Sequence, residues 1–222
     1  NFKLEKFVVE RRTRLLEEGG IKFLQNYEVG KDSTLDQLRK KHDAILIAAG
    51  VYKPREIEVP GNNLANIFPA MEFLTASNKK GLGDQVELFD RGILNAEGKN
   101  VVVIGGGDTA MDCVRTAVRQ NAKSVKCLYR RDKENMPGSA REVANAEEEG
   151  IEFVWLSSPK EFLGKNKVES LVIDKIKLGE PDDSGRRKPE IQEDSEFKLN
   201  SDIIIKALGF DPENLPKLFD SK

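Results

Sequence analysis

The sequence predicts an α/β fold with a parallel sheet, and three observations lead to it. A β-branched strand, Val101–Ile104, is followed by three glycines and then by apolar residues at helical spacing. A second strand, a second helix and a third strand follow before Trp155. After Pro159 the pattern partly alternates, which is typical of antiparallel strands. Strands that alternate with helices form a parallel sheet with right-handed connections, so we expect a βαβαβ unit and a small antiparallel β flap.

The composition suits a soluble protein and excludes several classes of function. The 222 residues carry 36 Lys and Arg against 38 Asp and Glu, a net charge of -2, which is unlike a strongly basic nucleic-acid binder. No apolar run approaches the roughly 20 residues of a membrane span. Residues Asn1–Glu10 lack the pattern of a secretory signal. Cys113 and Cys127 are too few for a disulfide framework or a zinc site. We expect a cytoplasmic protein without a nucleic-acid or membrane partner.

The first fifty residues predict two helices and two strands. The elements are a helix from Leu4 to Leu15 ended by Gly19-Gly20, a strand Ile21–Gln25, a helix from Thr34 to Lys41, and a strand Ala44–Ala49. Thr34 and Gln37 have the spacing of a capping box. The run Ala44–Ala49 is apolar without alternation, which predicts a parallel strand that is buried on both faces.

The rest of the chain predicts the βαβαβ unit and the flap in order. Residues 51–100 are punctuated by Pro and Gly and predict connecting structure with one helix near Pro69–Ser77. The predicted βαβαβ unit has the strands Val101–Ile104, Ser124–Tyr129 and Ile151–Trp155 and the helices Thr109–Gln120 and Ser139 to Gly150. The predicted flap has the strands Val168–Leu178 and Glu196–Leu199, with a hairpin tip in Gly179–Pro189. A last strand, Asp202–Lys206, follows the flap.

Two stretches of the sequence repeat the pattern D-x-I-x-x-A-x-G. They are Asp43–Gly50 and Asp202–Gly209, and each ends a predicted strand with a small residue, a spacer and Gly. Such an ending allows close approach of the backbone to a neighbouring group. The alternative is that both are ordinary strands that end in a turn, and the repeat alone does not separate the two interpretations.

The glycine-rich turn is the main functional motif. Gly105, Gly107 and Ala110 fit G-x-G-x-x-A between a strand and a helix, the Rossmann-like arrangement that binds a dinucleotide pyrophosphate at the helix N-terminus. The alternative is a sharp turn without a ligand. Asp108 and Thr109 are candidates for the pyrophosphate site but could instead cap the helix, and capping is the role we favour for Asp108.

Two arginines follow the second strand and predict which dinucleotide binds. An NAD site usually has a carboxylate there, whereas Arg130 and Arg131 suit the 2′-phosphate of NADP. The alternative is a solvated pair that Asp132 and Glu134 neutralise. We predict NADP(H).

No catalytic dyad, C-x-x-C pair or metal site accompanies the motif. His42 is the single histidine and is expected at the surface, and the two cysteines are expected to be packing residues. A nicotinamide site without an acid, base or disulfide indicates that hydride passes to another cofactor, most naturally a flavin.

At the level of motifs the chain resembles the glutamate synthase small subunit (β-chain) family. The blocks that carry the resemblance are Tyr52–Arg55 with Val59–Gly61, Gly105–Cys113, Tyr129–Arg131, Asn135–Ser139, Arg141–Ala146 and Ala207–Pro212. The resemblance implies a flavoprotein with two dinucleotide-binding domains, in which an NADPH domain (residues 51–206) is inserted into an FAD domain. Residues 1–50 would be a remnant of the FAD domain and residues 207–222 the return segment. We expect these parts to be too short to hold FAD.

The same resemblance implies the reaction and the partner. Hydride would pass from NADPH to FAD, and electrons would pass through iron–sulfur clusters of the full-length parent to the glutamate synthase large subunit, where glutamine and 2-oxoglutarate yield glutamate. It places the pyrophosphate at Gly106, Gly107, Asp108 and Thr109, and the nicotinamide near Ala207, Leu208 and Gly209. Ala49 and Gly50, at the end of the first repeat, are further cofactor-binding candidates. A related reductase with a dihydropyrimidine or ferredoxin-linked acceptor, and a non-catalytic docking module, are the alternatives.

Overall fold

The computed structural model describes residues 2–181 and 187–220, and the chain divides into two units. Unit 1 comprises residues 1–53 and 211–222, and unit 2 comprises residues 54–210. The helices are α1 (Lys6–Glu18), α2 (Leu35–Arg39), α3 (Ala70–Gly81), α4 (Glu87–Asp90), α5 (Asp108–Arg119), α6 (Ala140–Glu148) and α7 (Leu215–Leu218). The strands are β1 (Lys53–Pro54), β2 (Ile67–Pro69), β3 (Asn100–Ile104), β4 (Ser124–Leu128), β5 (Glu152–Val154), β6 (Ser157–Leu163), β7 (Ser170–Pro181), β8 (Arg187–Ile191), β9 (Phe197–Asn200), β10 (Ile203–Lys206) and β11 (Phe210–Asp211).

Unit 2 contains the predicted parallel sheet. Its five strands are ordered β2-β10-β3-β4-β5, and every neighbouring pair is parallel. The strands expected from the sequence at 101–104, 124–129, 151–155 and 202–206 are confirmed to within one or two residues. Strand β2 was not expected, because a three-residue edge strand carries almost no pattern. Helix α3 is confirmed near the predicted place but extends to Gly81.

Alternating side chains give the sheet two different faces, because neighbouring residues of a strand point to opposite sides. Val101, Val103 and Ile205 pack with residues of α3, α5 and α6. Val102 and Ile204 pack with residues of β6 and β7. Unit 2 therefore has three layers, with the parallel sheet between the helices and the antiparallel flap.

The flap, strands β6 to β9, has β7 at its centre. Strands β6, β8 and β9 each pair antiparallel with β7, and the predicted flap is therefore confirmed with two additional strands, β6 and β8. The hairpin tip predicted within 179–189 is partly strand, and its residues 182–186 lie outside the described ranges.

A cluster of charged side chains joins α5 to α6. Arg115 is buried and its guanidinium contacts Glu142 at 2.7 Å and Glu149 at 2.8 Å. Arg119 also contacts Glu149, at 2.6 Å. The hydrogen bonds from Arg119 and Arg115 lower the pKa of Glu149 to about 2, so its carboxylate stays charged. The cluster fixes α6 against α5, and α6 begins directly after residues 135–139.

In unit 1 the two predicted helices are confirmed, and the two predicted strands are wrong. Helix α1 ends at Gly19, and α2 begins with the capping box of Thr34 and Gln37. The strands predicted at Ile21–Gln25 and Ala44–Ala49 are absent from the structure, and the second segment is exposed along its whole length. An apolar run becomes a buried strand only when neighbouring strands accept and donate its ladder hydrogen bonds, and no described strand lies beside it. The assignment of residues 1–50 and 207–222 to an FAD domain stays a prediction.

Candidate functional site

A cleft of about 650 Å³ opens at the carboxyl ends of β3, β4 and β10. Five stretches of unit 2 line the cleft. They are residues 55–57; residues 104–107 with 109; residues 128–131 with 134–137; residues 157–159; and residues 207–209. The carboxyl ends of parallel strands are where open α/β sheets bind their ligands. The cleft therefore brings the predicted glycine turn, arginine pair and Ala207–Gly209 segment together.

Gly105 turns the chain sharply out of β3. Its φ is +146°, and a Cβ atom at this position would lie 2.2 Å from the carbonyl oxygen of Ala207. The backbone N–H of Gly105 donates to Leu128 at 3.0 Å, and that of Ala207 donates to Ile104 at 2.8 Å. Only glycine fits here, because any side chain would collide with the backbone that follows β10.

The next two glycines serve different purposes. A Cβ atom on Gly106 would lie 2.4 Å from the ring of Tyr129, whereas one on Gly107 would meet no atom within 4 Å. Gly107 is the N-cap of α5, and its conformation leaves the cleft side open. Packing therefore requires a glycine at Gly106, whereas the space at Gly107 is open to a ligand.

Backbone donors at the start of α5 fit an anionic group. The N–H groups of residues 106 to 109 donate to no acceptor in the described part of the chain. They lie at the positive end of a twelve-residue helix. A pyrophosphate satisfies such donors directly, so the residues present fit a dinucleotide.

Asp108 does not cap α5, and that prediction is wrong. It is the first residue of the helix and makes no capping hydrogen bond. Its Oδ1 atom instead accepts from the backbone N–H of Ser139 at 2.8 Å. Thr109 lines the cleft, and Ala110 is fully buried beneath it, where it packs between helix and sheet.

Residues 135–139 form a loop that is fixed against the glycine turn. Gly138 donates its N–H to the carbonyl of Gly106 at 2.9 Å, and the hydroxyl of Tyr129 donates to the carbonyl of Asn135 at 3.2 Å. Asn135, Met136 and Pro137 line the cleft. The sequence indicated this block through its family resemblance and through Ser139 as a helix start, and nothing in its spacing showed that it folds onto the turn.

The two arginines line the cleft but differ in their surroundings. Arg130 is exposed, and Arg131 is buried, with 9% of its surface accessible. Asp132 accepts hydrogen bonds from Asn135, and Glu134 contacts neither arginine in the described residues. The described ion pairs therefore do not support the alternative in which Asp132 and Glu134 neutralise the arginines.

The segment Ala207–Gly209 borders the opposite part of the cleft. Gly209, with φ +87°, accepts the N–H of Arg55 at 3.0 Å. Nearby, the buried Lys206 is paired with Glu56, which lines the cleft. Arg55, Glu56 and residues 157–159 were not expected in the site, because they are distant in sequence from the glycine turn, and the resemblance of the Tyr52–Arg55 block assigned Arg55 no role there. Ala49 and Gly50 lie in unit 1 and are exposed.

Both cysteines belong to the hydrophobic core. Burial raises the pKa of Cys127 to about 12 and that of Cys113 well above its usual value. The thiol of Cys127 donates to the carbonyl of Gly105 at 3.3 Å. Their packing role is confirmed, and His42 is exposed as predicted. No group of metal-binding side chains occurs in residues 2–181 and 187–220.

Comparison with known proteins gives a consistent family match. The family model of the pyridine nucleotide-disulphide oxidoreductases matches residues 3–218. The glutamate synthase [NADPH] small chain of Azospirillum brasilense is 58% identical over 99% of this chain and 45% of its own length. The putative oxidoreductase AegA of Escherichia coli is 43% identical over 98% of this chain and 33% of its own. The chain thus spans about half the length of the first relative, and the resemblance inferred from the motifs is confirmed.

The fold has a counterpart among solved structures. The structure of FprA from Mycobacterium tuberculosis in complex with NADPH superposes with a TM-score of 0.67 at 19% identity, covering 86% of this chain and 55% of that one. At this identity the match shows the fold alone, and it confirms the predicted α/β fold with a parallel sheet. Among the described helices, none has both the length and the apolar character to cross a membrane.

Proposed function

Because the chain belongs to the pyridine nucleotide-disulphide oxidoreductase family, we propose that it is the NADPH-binding part of a glutamate synthase small subunit. The observation that carries the proposal is the cleft that both the open start of α5 and two arginines line. NADPH carries two anionic groups that suit these two places, the pyrophosphate for the helix start and the 2′-phosphate for the arginines. The identity to small chains named for NADPH supports the same cofactor.

Each part of the cleft has a task in this proposal. The backbone donors of residues 106 to 109 bind the pyrophosphate, and Arg130 and Arg131 bind the 2′-phosphate. Residues 207 to 209 would border the nicotinamide end of the coenzyme, next to Gly105, which packs against the carbonyl of Ala207. NADPH supplies the hydride, and the cleft holds the coenzyme in a fixed orientation for the acceptor.

The activity of the whole protein is a further part of the proposal. Hydride would pass from NADPH to FAD, and electrons would pass through iron–sulfur clusters to the large subunit for glutamate synthesis. We propose that this chain alone does not retain FAD, since residues 1–53 and 211–222 include a single buried apolar side chain, Leu35, in their described part. The cytoplasmic location also stays a prediction.

Binding measurements test the coenzyme assignment. The chain is titrated with NADPH and with NADH, and the expected result is tighter binding of NADPH. Arg130→Ala should weaken NADPH by about tenfold or more and leave NADH nearly unchanged, since a charge-assisted hydrogen bond contributes about 1.5–3 kcal/mol. Arg91→Ala removes the same charge from an exposed site outside the cleft and is the matched control. Equal affinities for the two coenzymes, or stoichiometric FAD on the purified chain, would refute the proposal.

A related reductase with another electron acceptor is the second candidate. The 43% identity to a putative oxidoreductase over nearly the whole chain favours it, because a similar domain occurs in a protein that is not named as a glutamate synthase. Co-purification of the full-length protein with a glutamate synthase large subunit separates the two. A full-length protein that reduces an acceptor without that subunit would support the second candidate.

A further inference from the structure

Arg131 is almost fully buried although its side chain borders the cleft. Its Nε atom donates to the backbone carbonyl of Arg187 in β8 at 3.1 Å. This is the one hydrogen bond that the guanidinium makes to a described residue. The N–H groups of its two outer Nη atoms therefore still lack an acceptor there. The side chain is therefore held at one end while its outer edge stays available to a ligand.

The flap also holds the backbone of Arg131. Its carbonyl oxygen accepts the N–H of Leu156 at 3.1 Å, and the carbonyl of Leu156 accepts the N–H of Ile176 in β7 at 2.6 Å. The main chain of Arg131 is thus linked to β7 through Leu156, and its side chain is bound directly to β8.

Arg187 secures the hairpin that provides this support. Its Nε donates to the carbonyl of Gly179 at 3.0 Å, and its Nη2 donates to that of Leu178 at 2.9 Å. The pairing of β7 and β8 is irregular between Leu178 and Pro181. The side chain of Arg187 supplies hydrogen bonds to β7 next to this irregular part of the ladder.

We propose that the β7–β8 hairpin positions Arg131 for the 2′-phosphate, and that Arg187 is a positioning residue for selectivity towards NADPH. The inference rests on the proposed function and adds a residue that does not line the cleft. A guanidinium that is already ordered loses less conformational entropy when it binds a phosphate in its fork. Exposed Arg130 contributes positive charge, whereas Arg131 contributes a guanidinium in a fixed orientation.

Two nucleotides isolate this effect, because 2′,5′-ADP carries the 2′-phosphate and 5′-AMP lacks it. Arg187→Ala should weaken 2′,5′-ADP by about 2- to 10-fold, the effect of one side chain that must be ordered on binding, and leave 5′-AMP within about 2-fold. Lys188→Ala, on the exposed neighbouring residue, is the control and should change neither. Arg131→Lys keeps the charge but loses the Nε donor, and it should reduce the preference by roughly tenfold.

The outcomes separate the inference from the proposed function. If wild-type protein binds 2′,5′-ADP no better than 5′-AMP, the coenzyme assignment itself fails. If wild-type protein prefers 2′,5′-ADP and Arg187→Ala keeps the full preference, the positioning role is overturned while NADPH binding stands. Equal weakening of both nucleotides also overturns it, since that result indicates general damage to the cleft. If Arg187→Ala does not fold, Arg131→Lys decides alone, and an unchanged preference in that variant refutes the inference.

Discussion

Replacing Gly106 by Ala tests whether packing, and not the ligand, requires the middle glycine. The added methyl carbon would lie 2.4 Å from the Tyr129 ring, whereas carbon atoms normally approach to about 3.5 Å. The ring must therefore move by about 1 Å. Tyr129 is buried and its hydroxyl holds the carbonyl of Asn135, so this movement also disturbs the 135–139 loop.

The expected cost is the sum of two effects. Overpacking of a buried ring costs about 1–3 kcal/mol, and the loss of the Tyr129–Asn135 hydrogen bond adds about 1 kcal/mol. Gly106→Ala should therefore lower the free energy of unfolding by about 2–4 kcal/mol and Tm by roughly 5–10 °C. Urea denaturation followed by circular dichroism measures the first quantity, and calorimetry measures the second.

Gly107→Ala is the matched control, because its methyl group would meet no atom within 4 Å and its φ of -92° suits any residue. We expect its free energy of unfolding to stay within about 0.5 kcal/mol of wild type. Its affinity for NADPH should fall, because the methyl group enters the space through which the backbone approaches the pyrophosphate. A Gly106→Ala protein as stable as wild type, or a Gly107→Ala protein that is strongly destabilised, would contradict this division of roles.

Three further variants or measurements test the surroundings of the cleft. The pKa of Glu149 is lowered to about 2, so its stabilising effect is complete above the unfolded value of 4.5 and is lost as pH falls towards 2. After allowance for solvent screening, Glu149→Gln should lower the free energy of unfolding by about 1–2 kcal/mol at neutral pH and flatten the acid-unfolding curve. Glu148→Gln changes an exposed neighbouring residue and should have neither effect. Asp108→Ala should speed amide hydrogen exchange at Ser139, because the N–H loses its acceptor; unchanged exchange there would rule out the contact. Cys127 should resist thiol reagents in the folded protein at pH 8 and react in urea, since its raised pKa keeps the thiol protonated and burial excludes the reagent.

Local signals were sufficient for the elements whose partners are close in sequence. The strand from Val101, the glycine turn and helix α5 form a continuous unit of about twenty residues, and the order of residue types within this stretch is sufficient to predict it. Ser139 likewise accepts from the N–H of Glu142, three residues away, and starts α6 where the pattern predicts. The cleft at the end of this strand follows from the same pattern, and four of the six residues 105–110 line it, whereas Ala110 is buried and Asp108 binds the N–H of Ser139.

Other features depend on groups that are distant in sequence, and the tertiary structure alone decides them. The run Ala44–Ala49 has the composition of a buried strand, but composition does not provide the neighbouring backbone that a strand needs. Asp108 has the residue type and place of a cap, yet a backbone N–H thirty-one residues later binds its carboxylate. Arg131 looks equivalent to Arg130 in the sequence, and it differs because a flap carbonyl fifty-six residues away accepts its Nε proton. The residue types predicted the chemistry of the cleft, while the long-range hydrogen bonds determine which donors remain available to a ligand.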